Sequence, residues 1–448
     1  MRKGDQQLTL GDTFRGSLVD RAIARADGTG LEEGLSRRQF FKRVGQSGAV
    51  VAFLSPCGVG MEAALRGLFG RGLLPAVWAD AVVWADGDAL LATKPHMTVH
   101  NDLPINGEFA AHLLDDHVTP AARHFVRNNG AVPARAKNKD PQGWKLVVDG
   151  EVDTPLELTL DELKQLPAVR QQVVLECGGN GRALFEPKVR GNQWGHGAVA
   201  CSEWTGVRLR NVLEKAGLKS SAVYTAHYGE DQPLGKAQPF SRGLPIAKAM
   251  DEHTLIAYQM NGDDLPALNG YPVRLIVPGW IGSCSQKWLN RIWVRDQVHD
   301  SQKMSGYSYR VPAYPVEPGT KPSKADMVIA TAWRIKSLIS SPQANAQFLT
   351  EKSIKVRGHA WAGEETVTQV QVSTDFGIHW KKAKLMQPAN PYAWAHWETE
   401  MSFSEKGYYE VWARAFDDKG NAQPFRQPWN PKGYLGNVVH RVPVMITA

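Results

Sequence analysis

The chain has only 4 cysteines in 448 residues, and no two stand in a CxxC or CxxCH spacing. That absence excludes a zinc ribbon, a thioredoxin-type redox site, an iron–sulfur set built on CxxC and covalent c-type haem. Long apolar runs are missing as well. No window reaches the roughly 18 uninterrupted apolar residues that cross a bilayer, and Arg66 and Arg71 break the second apolar piece near the N-terminus, so no membrane anchor is expected. There is no GxGxxG fingerprint after a strand, which argues against nicotinamide or flavin binding. The net charge is +7, yet basic residues form no block, charges of both signs are interspersed, and no recognition-helix or zinc-finger pattern occurs. Nucleic acid is therefore not an expected partner. Internal repeats, coiled-coil heptads and low-complexity tracts are absent too.

What is present begins with an address. Ser36-Arg37-Arg38-Gln39-Phe40-Phe41-Lys42 has the form of a twin-arginine signal, followed by a modestly apolar stretch at 44–54 and a small-x-small site, Ala79-Asp80-Ala81. Residues 1–81 are expected to be a leader that exports the folded protein to the periplasm. Its loss removes 11 basic and 8 acidic residues and lowers the net charge from +7 to +4. A mildly basic surface suits an anionic substrate or an acidic redox partner. Cys57 leaves with the leader, so Cys177, Cys201 and Cys284 remain, an odd number in a compartment that permits disulfides. At least one thiol must stay unpaired or bind something. Cys201 and Cys284 read as structural.

The mature chain divides by pattern. Residues 82–325 mix short strands, such as 145–148 and 273–277, with helical pieces at 160–166, capped by Thr159 or Asp161, and at 209–216 before Gly217. This is an α+β pattern. A proline-rich connector at 311–322 reads as a stiff extended linker. Residues 326–448 then alternate with period 2, as in 366–372 and 407–415, with turn signals at Asp375-Phe376-Gly377 and Asp417-Asp418-Lys419-Gly420. An all-β sandwich of immunoglobulin-like type is expected there.

The most telling segment is VVLECGGNGRALFEPKVRGNQWGHGAVACSEWTG at 173–206. An apolar strand runs into a glycine-rich turn that carries Cys177, and Gly178, Gly179 and Gly181 permit positive φ and close backbone approach to a bulky group. A soft thiolate suits a high-valent metal. The segment resembles the molybdenum-binding stretch of the sulfite oxidase family. Further likenesses follow in the family's order: HFVRNNGAVP from His124, LIAYQMNG from Leu255, GYPVRLIVPG from Gly270, SQKWLNRI from Ser285 and WNPKGYLGN from Trp429.

The resemblance implies a molybdopterin cofactor in the α+β domain, with Cys177 as the ligand of molybdenum, and a C-terminal sandwich that forms a homodimer. It places Arg127, Arg182 and Lys432 at an anion pocket with Trp194 as a wall, and Tyr258 near the metal oxygens. Asn128, Asn129, Asn269, Arg274, Ser285, Gln286 and Lys287 fall where the family holds the pterin and its phosphate. Lys432 departs from the arginine usual at its place, keeping the charge without the two-pronged fork. The implied activity is a periplasmic sulfite dehydrogenase that passes electrons to a c-type cytochrome. The alternatives are the molybdenum subunit of a thiosulfate-oxidising sulfane dehydrogenase, a sulfoxide reductase, or a cofactor-free structural or adhesion protein.

Overall fold

Two mixed layers and a sandwich follow from alternation of apolar residues along short strands. A computed structural model describes residues 87–349 and 353–447. The twin-arginine segment, residues 44–54, the Ala79-Asp80-Ala81 site and Cys57 lie outside the described residues.

In the α+β part, an antiparallel sheet aligns Asp263–Asp264, Leu255–Met260, Val199–Arg208 and Ala168–Glu176, with Arg274–Ile276 added against Leu255–Met260. A second sheet orders Leu156–Thr159, Lys145–Gly150, Leu289–Arg295, Tyr224–Gly229 and Ser241–Pro245, with one parallel pair, Lys145–Gly150 on Leu289–Arg295. A three-stranded sheet of Thr98–Asp102, Ile105–Glu108 and Val126–Arg127 completes the layer. Helix Leu160–Lys164 starts at Thr159, whose hydroxyl accepts from Glu162 N while the Glu162 carboxylate accepts from Thr159 N, a reciprocal cap. Helix Leu209–Ala216 buries Leu209, Val212, Leu213 and Ala216 on one stripe and ends at Gly217 with φ 72°.

The connector is less simple than a stiff linker. Arg310–Pro312 pairs antiparallel with Met327–Ile329, so the chain doubles back on itself. Pro312 sits at the end of this ribbon, where its missing N–H removes no interior ladder bond.

Beyond it, Lys336–Ser341, Ile354–Trp361, Ala395–Met401 and Lys384–Leu385 form one sheet. Ala346–Leu349, His440–Thr447, Gly407–Asp417, Val367–Ser373 and Lys381–Lys382 form the other. Val411, Ala413 and Ala415 of one strand and Val442, Val444 and Ile446 of its neighbour point inward to a core shared with Val356, Val370 and Trp397. The expected sandwich is therefore present, with the turn at Asp417 held by its own carboxylate, which accepts from Lys419 N and Asn421 N.

Candidate functional site

Strand Ala168–Glu176 ends where its backbone turns sharply, and Cys177 occupies the first position after it. Cys177 N donates to Ala198 O at 2.9 Å and Asn180 N to Cys177 O at 2.8 Å, which fixes the turn on the neighbouring strand. Cys177 lines a cleft of about 670 Å³ together with His124, Arg127, Asn128, Asn129, Asp231, Asn269, Arg274, Ser285, Gln286, Lys287 and Tyr309. All eight predicted pterin-side residues, Cys177 included, thus meet in one place. Burial raises the Cys177 thiol above its ordinary range, opposed by Arg127 and Arg182. A thiol so placed keeps its proton until a metal cation bound at the sulfur would displace it.

The cleft is strongly cationic. Lys94 and Arg274 are enclosed, Arg127 and Lys287 half-buried, and among the described residues none of the four has a carboxylate within ion-pair reach. Arg274 donates to Asn269 O at 2.8 Å and Ser285 O at 3.1 Å, both neutral carbonyls, and burial lowers its pKa to about 9. Lys287 donates to Leu268 O at 2.8 Å and to the Asn128 side chain. Loss of hydration first, and then Arg274, pushes the Lys287 ammonium well below its usual range. Asp231 is the carboxylate of the cleft, raised to about 6 by burial.

Buried polar atoms without a protein partner cluster on the same walls: His124 Nε2, Arg127 Nη1, Asn128 Nδ2, Asp231 Oδ1, Ser283 Oγ and Gln286 Oε1. Each costs free energy unless something pairs with it. A large group with donors, acceptors and an anionic arm fits this set: Arg274 and Lys287 would meet a phosphate, and the Cys177 thiolate would meet a metal that takes sulfur.

Arg182 takes a different route. Its Nε donates to Lys432 O at 3.1 Å and its Nη1 to Asn192 O at 3.0 Å, and the guanidinium lies 5.2 Å from the centre of the Tyr434 ring. The glycines around it make the room. A Cβ on Gly179 would lie 2.4 Å from Arg182 Nη2, and one on Gly433 2.8 Å from Arg182 Cγ. Of the three glycines in the turn, Gly181 alone has a positive φ, 83°. Gly179 serves space rather than backbone freedom. Lys432 is half-buried and meets Arg182 through its carbonyl.

Two expectations are corrected. Trp194 does not face the cleft; it is 1% exposed in the apolar layer behind Cys177, edge-on to His100 at 4.7 Å. Tyr258 is not at the site either. Along strand Leu255–Met260 the side chains alternate, so Leu255 and Ala257 join the layer with Cys177, whereas Ile256 and Tyr258 face the opposite core. There Lys164 lies 5.5 Å over the Tyr258 ring. The tyrosine that lines the cleft is Tyr309, in the left-handed region at φ 57°, its hydroxyl 3.4 Å from the Asn129 side chain and its ring stacked on Tyr434 at 5.4 Å. Tyr309→Phe is expected to lower kcat on the order of 10- to 100-fold, and Tyr258→Phe to leave it near the parent value; steady-state kinetics of the pair checks this.

Lys94 was also missed by sequence reasoning. Its ammonium donates to His124 O at 3.1 Å and Asn269 Oδ1 at 3.0 Å, behind the cleft wall, and desolvation lowers its pKa to about 7. The native group is depressed below the unfolded value of 10.5, so from about pH 7 the unfolded chain holds a proton that the native chain has released. Stability of the cofactor-free protein should then rise with pH above 7, by up to about 1.4 kcal/mol per unit. Thermal unfolding between pH 7 and 9 is the measurement, and Lys94→Met should flatten the slope.

The other cysteines are free and buried, as read. Cys201 packs beside Val174 with its pKa raised to about 12 by burial, and Cys284 lies 3.5 Å from Arg242 Nη2.

Residues 129–303 match the family described as the oxidoreductase molybdopterin binding domain, and residues 328–447 the Mo-co oxidoreductase dimerisation domain. The chain is 33% identical over 363 residues to a mitochondrial sulfite oxidase of Drosophila melanogaster, covering 77% of this chain and 62% of that one. It is 32% identical over 367 residues to a sulfite oxidase of Gallus gallus, covering 78% and 77%. It therefore spans less than two-thirds of the length of the Drosophila relative. A solved structure of the sulfane dehydrogenase SoxCD from Paracoccus pantotrophus superposes with a TM-score of 0.63 at 25% identity, covering 76% of this chain and 84% of that one.

Proposed function

Since the chain belongs to the sulfite oxidase family of molybdopterin-binding oxidoreductases, we propose that it oxidises sulfite to sulfate in the periplasm and hands the electrons to a c-type cytochrome. The observation that carries this reading is the convergence of Cys177 with Arg127, Arg274 and Lys287 on one cleft in which cations outnumber carboxylates. The molybdenum pterin, when bound, supplies the oxygen-transfer and two-electron chemistry. Every other task falls to side chains. Arg274 and Lys287 would hold the phosphate; Asn128, Asn129 and Gln286 would orient the pterin edge; Cys177 would hold the metal.

Arg127 is the cation best placed for an oxyanion, with an Nη1 that no protein atom uses. Its pKa is lowered by burial but raised overall by Tyr309, Cys177, Tyr434 and Asp231, so it stays charged in a site where few waters compete. Arg182 adds positive potential at Cys177, opposing the burial of the thiol. Conversion of sulfite and water to sulfate releases two electrons and two protons. The Tyr309 hydroxyl, beside Asn129, is positioned to move a proton at the cleft wall.

A second reading, oxidation of sulfane sulfur as in thiosulfate metabolism, is supported by the likeness to SoxCD. Identity of 32–33% to sulfite oxidases against 25% to SoxCD supports sulfite over sulfane sulfur, while nitrate reductases match this chain at the same 32–33%. Steady-state reduction of cytochrome c by molybdenum-loaded protein, with sulfite, thiosulfate and a sulfoxide compared side by side, decides between them. Turnover with thiosulfate and none with sulfite overturns the proposal.

A homodimer is supported by the match to the dimerisation family and by apolar side chains left exposed on the sandwich, Phe376, Ile378 and Phe425 among them. Export rests on Arg37 and Arg38. With both changed to lysine, the protein should remain in the cytoplasm and be active there, and cell fractionation reads the result; normal periplasmic levels would refute the signal.

A further inference from the structure

Glu176 immediately precedes Cys177 and is fully buried. A carboxylate in such a place needs every lone pair engaged. Its Oε1 accepts from Lys336 Nζ at 2.5 Å and from Asn180 Nδ2 at 2.8 Å, and its Oε2 from Trp361 Nε1 at 2.8 Å. Lys336 and Trp361 come from the C-terminal sandwich, where they are direct cross-strand partners on Lys336–Ser341 and Ile354–Trp361. Lys336 is itself 4% exposed.

The same turn has two further ties to the sandwich domain's chain. Leu435 N donates to Gly178 O at 3.0 Å, and Lys432 O accepts from Arg182 Nε at 3.1 Å. On its other side Asn180 bridges the Glu176 carboxylate to the main chain, its Oδ1 accepting from Ala198 N at 3.1 Å and its Nδ2 also reaching His196 O at 3.2 Å. The far end of the loop is held by a second buried carboxylate, Glu108, which accepts from Gly195 N at 2.7 Å and Gly197 N at 2.9 Å.

We infer that Glu176, gripped by Lys336 and Trp361, is a positioning residue for Cys177, so that the C-terminal sandwich sets the orientation of the metal-binding sulfur as well as forming a dimer. The inference rests on the reading of Cys177 as the metal ligand. A carboxylate held at both oxygens anchors the backbone at residue 176, and with Cys177 N on Ala198 O and Gly178 O on Leu435 N the main chain is tied on both sides of the sulfur's Cα; orientation errors well under 1 Å matter at a reacting centre.

The test uses the full chain loaded with molybdenum cofactor and three variants: the apolar double replacement Glu176→Leu with Lys336→Met, Trp361→Phe, and Cys177→Ser as the control on the ligand assignment. Metal and pterin content, melting temperature, kcat, KM and the electron paramagnetic resonance signal of the half-reduced metal are recorded for each. Replacing both charges together avoids an unpaired buried ion, so the double variant should fold and load. Its turnover per molybdenum is expected to fall on the order of 10- to 100-fold, with KM little changed and the resonance signal shifted, and Trp361→Phe should shift the signal in the same sense by less. Parent-like signal and turnover in the double variant would overturn the inference, leaving the pair a stability element. Should the double variant not fold, Trp361→Phe decides by the same two readings. Parent-like turnover in Cys177→Ser would instead remove the ligand assignment beneath it.

Discussion

Changing Cys177 to serine should reduce turnover per molybdenum to background while the folded protein keeps much of its pterin. Serine is nearly isosteric and sits in a layer with Phe125, Trp194 and Trp288, so the packing loss is small. Its hydroxyl is a harder donor than a thiolate and does not ionise near neutral pH, so the bond to the metal is lost or changed in character. The proposed phosphate grip would be untouched, because Arg274 and Lys287 belong to other segments of the chain. Cytochrome c reduction, normalised to molybdenum content and set beside pterin fluorescence, separates the two functions. Near-normal turnover per molybdenum would sink the reading of the whole site.

The converse experiment changes Arg274 and Lys287 together to methionine. Each substitution removes a charge-assisted contact worth about 1.5–3 kcal/mol, so cofactor affinity should fall by roughly 10²- to 10⁴-fold. Methionine fills the space of either stem. The carbonyls of Asn269 and Ser285 lose their donor, which offsets part of the relief from removing two crowded cations. The purified double variant should therefore be folded and largely empty. Pterin and metal content after gel filtration, with circular dichroism as the check on folding, gives the result; parent-level loading would assign the phosphate to other residues.

Much of this site was legible because its residues fall in short runs that fold locally. The 124–129 and 285–287 runs each deliver several side chains to one wall, and Cys177 follows an unmistakable apolar strand. Helix ends were readable for the same reason, from Thr159 and Gly217. Facing was the weak point. Tyr258 lies in the expected stretch, but strand alternation turns it to the opposite core, and an irregularity in pairing between Ala257 and Gln259 shifts the register beside it. Tyr309 lies outside every run that drew attention, and its place depends on a left-handed backbone angle at a non-glycine residue. Lys94 is enclosed by His124 and Asn269, partners 30 and 175 positions away. Contacts of that range leave no local mark.

The acceptor that holds Arg182 is a peptide carbonyl, which any residue at position 432 except one that distorts the turn would supply. Location of the arginine and chemistry of its neighbour are thereby uncoupled. The side chain at 432 can change in length, charge or fork geometry over evolutionary time without dislodging the cation beside it. Substitutions at position 432 should therefore leave Arg182 seated on its two carbonyls, those of residues 432 and 192.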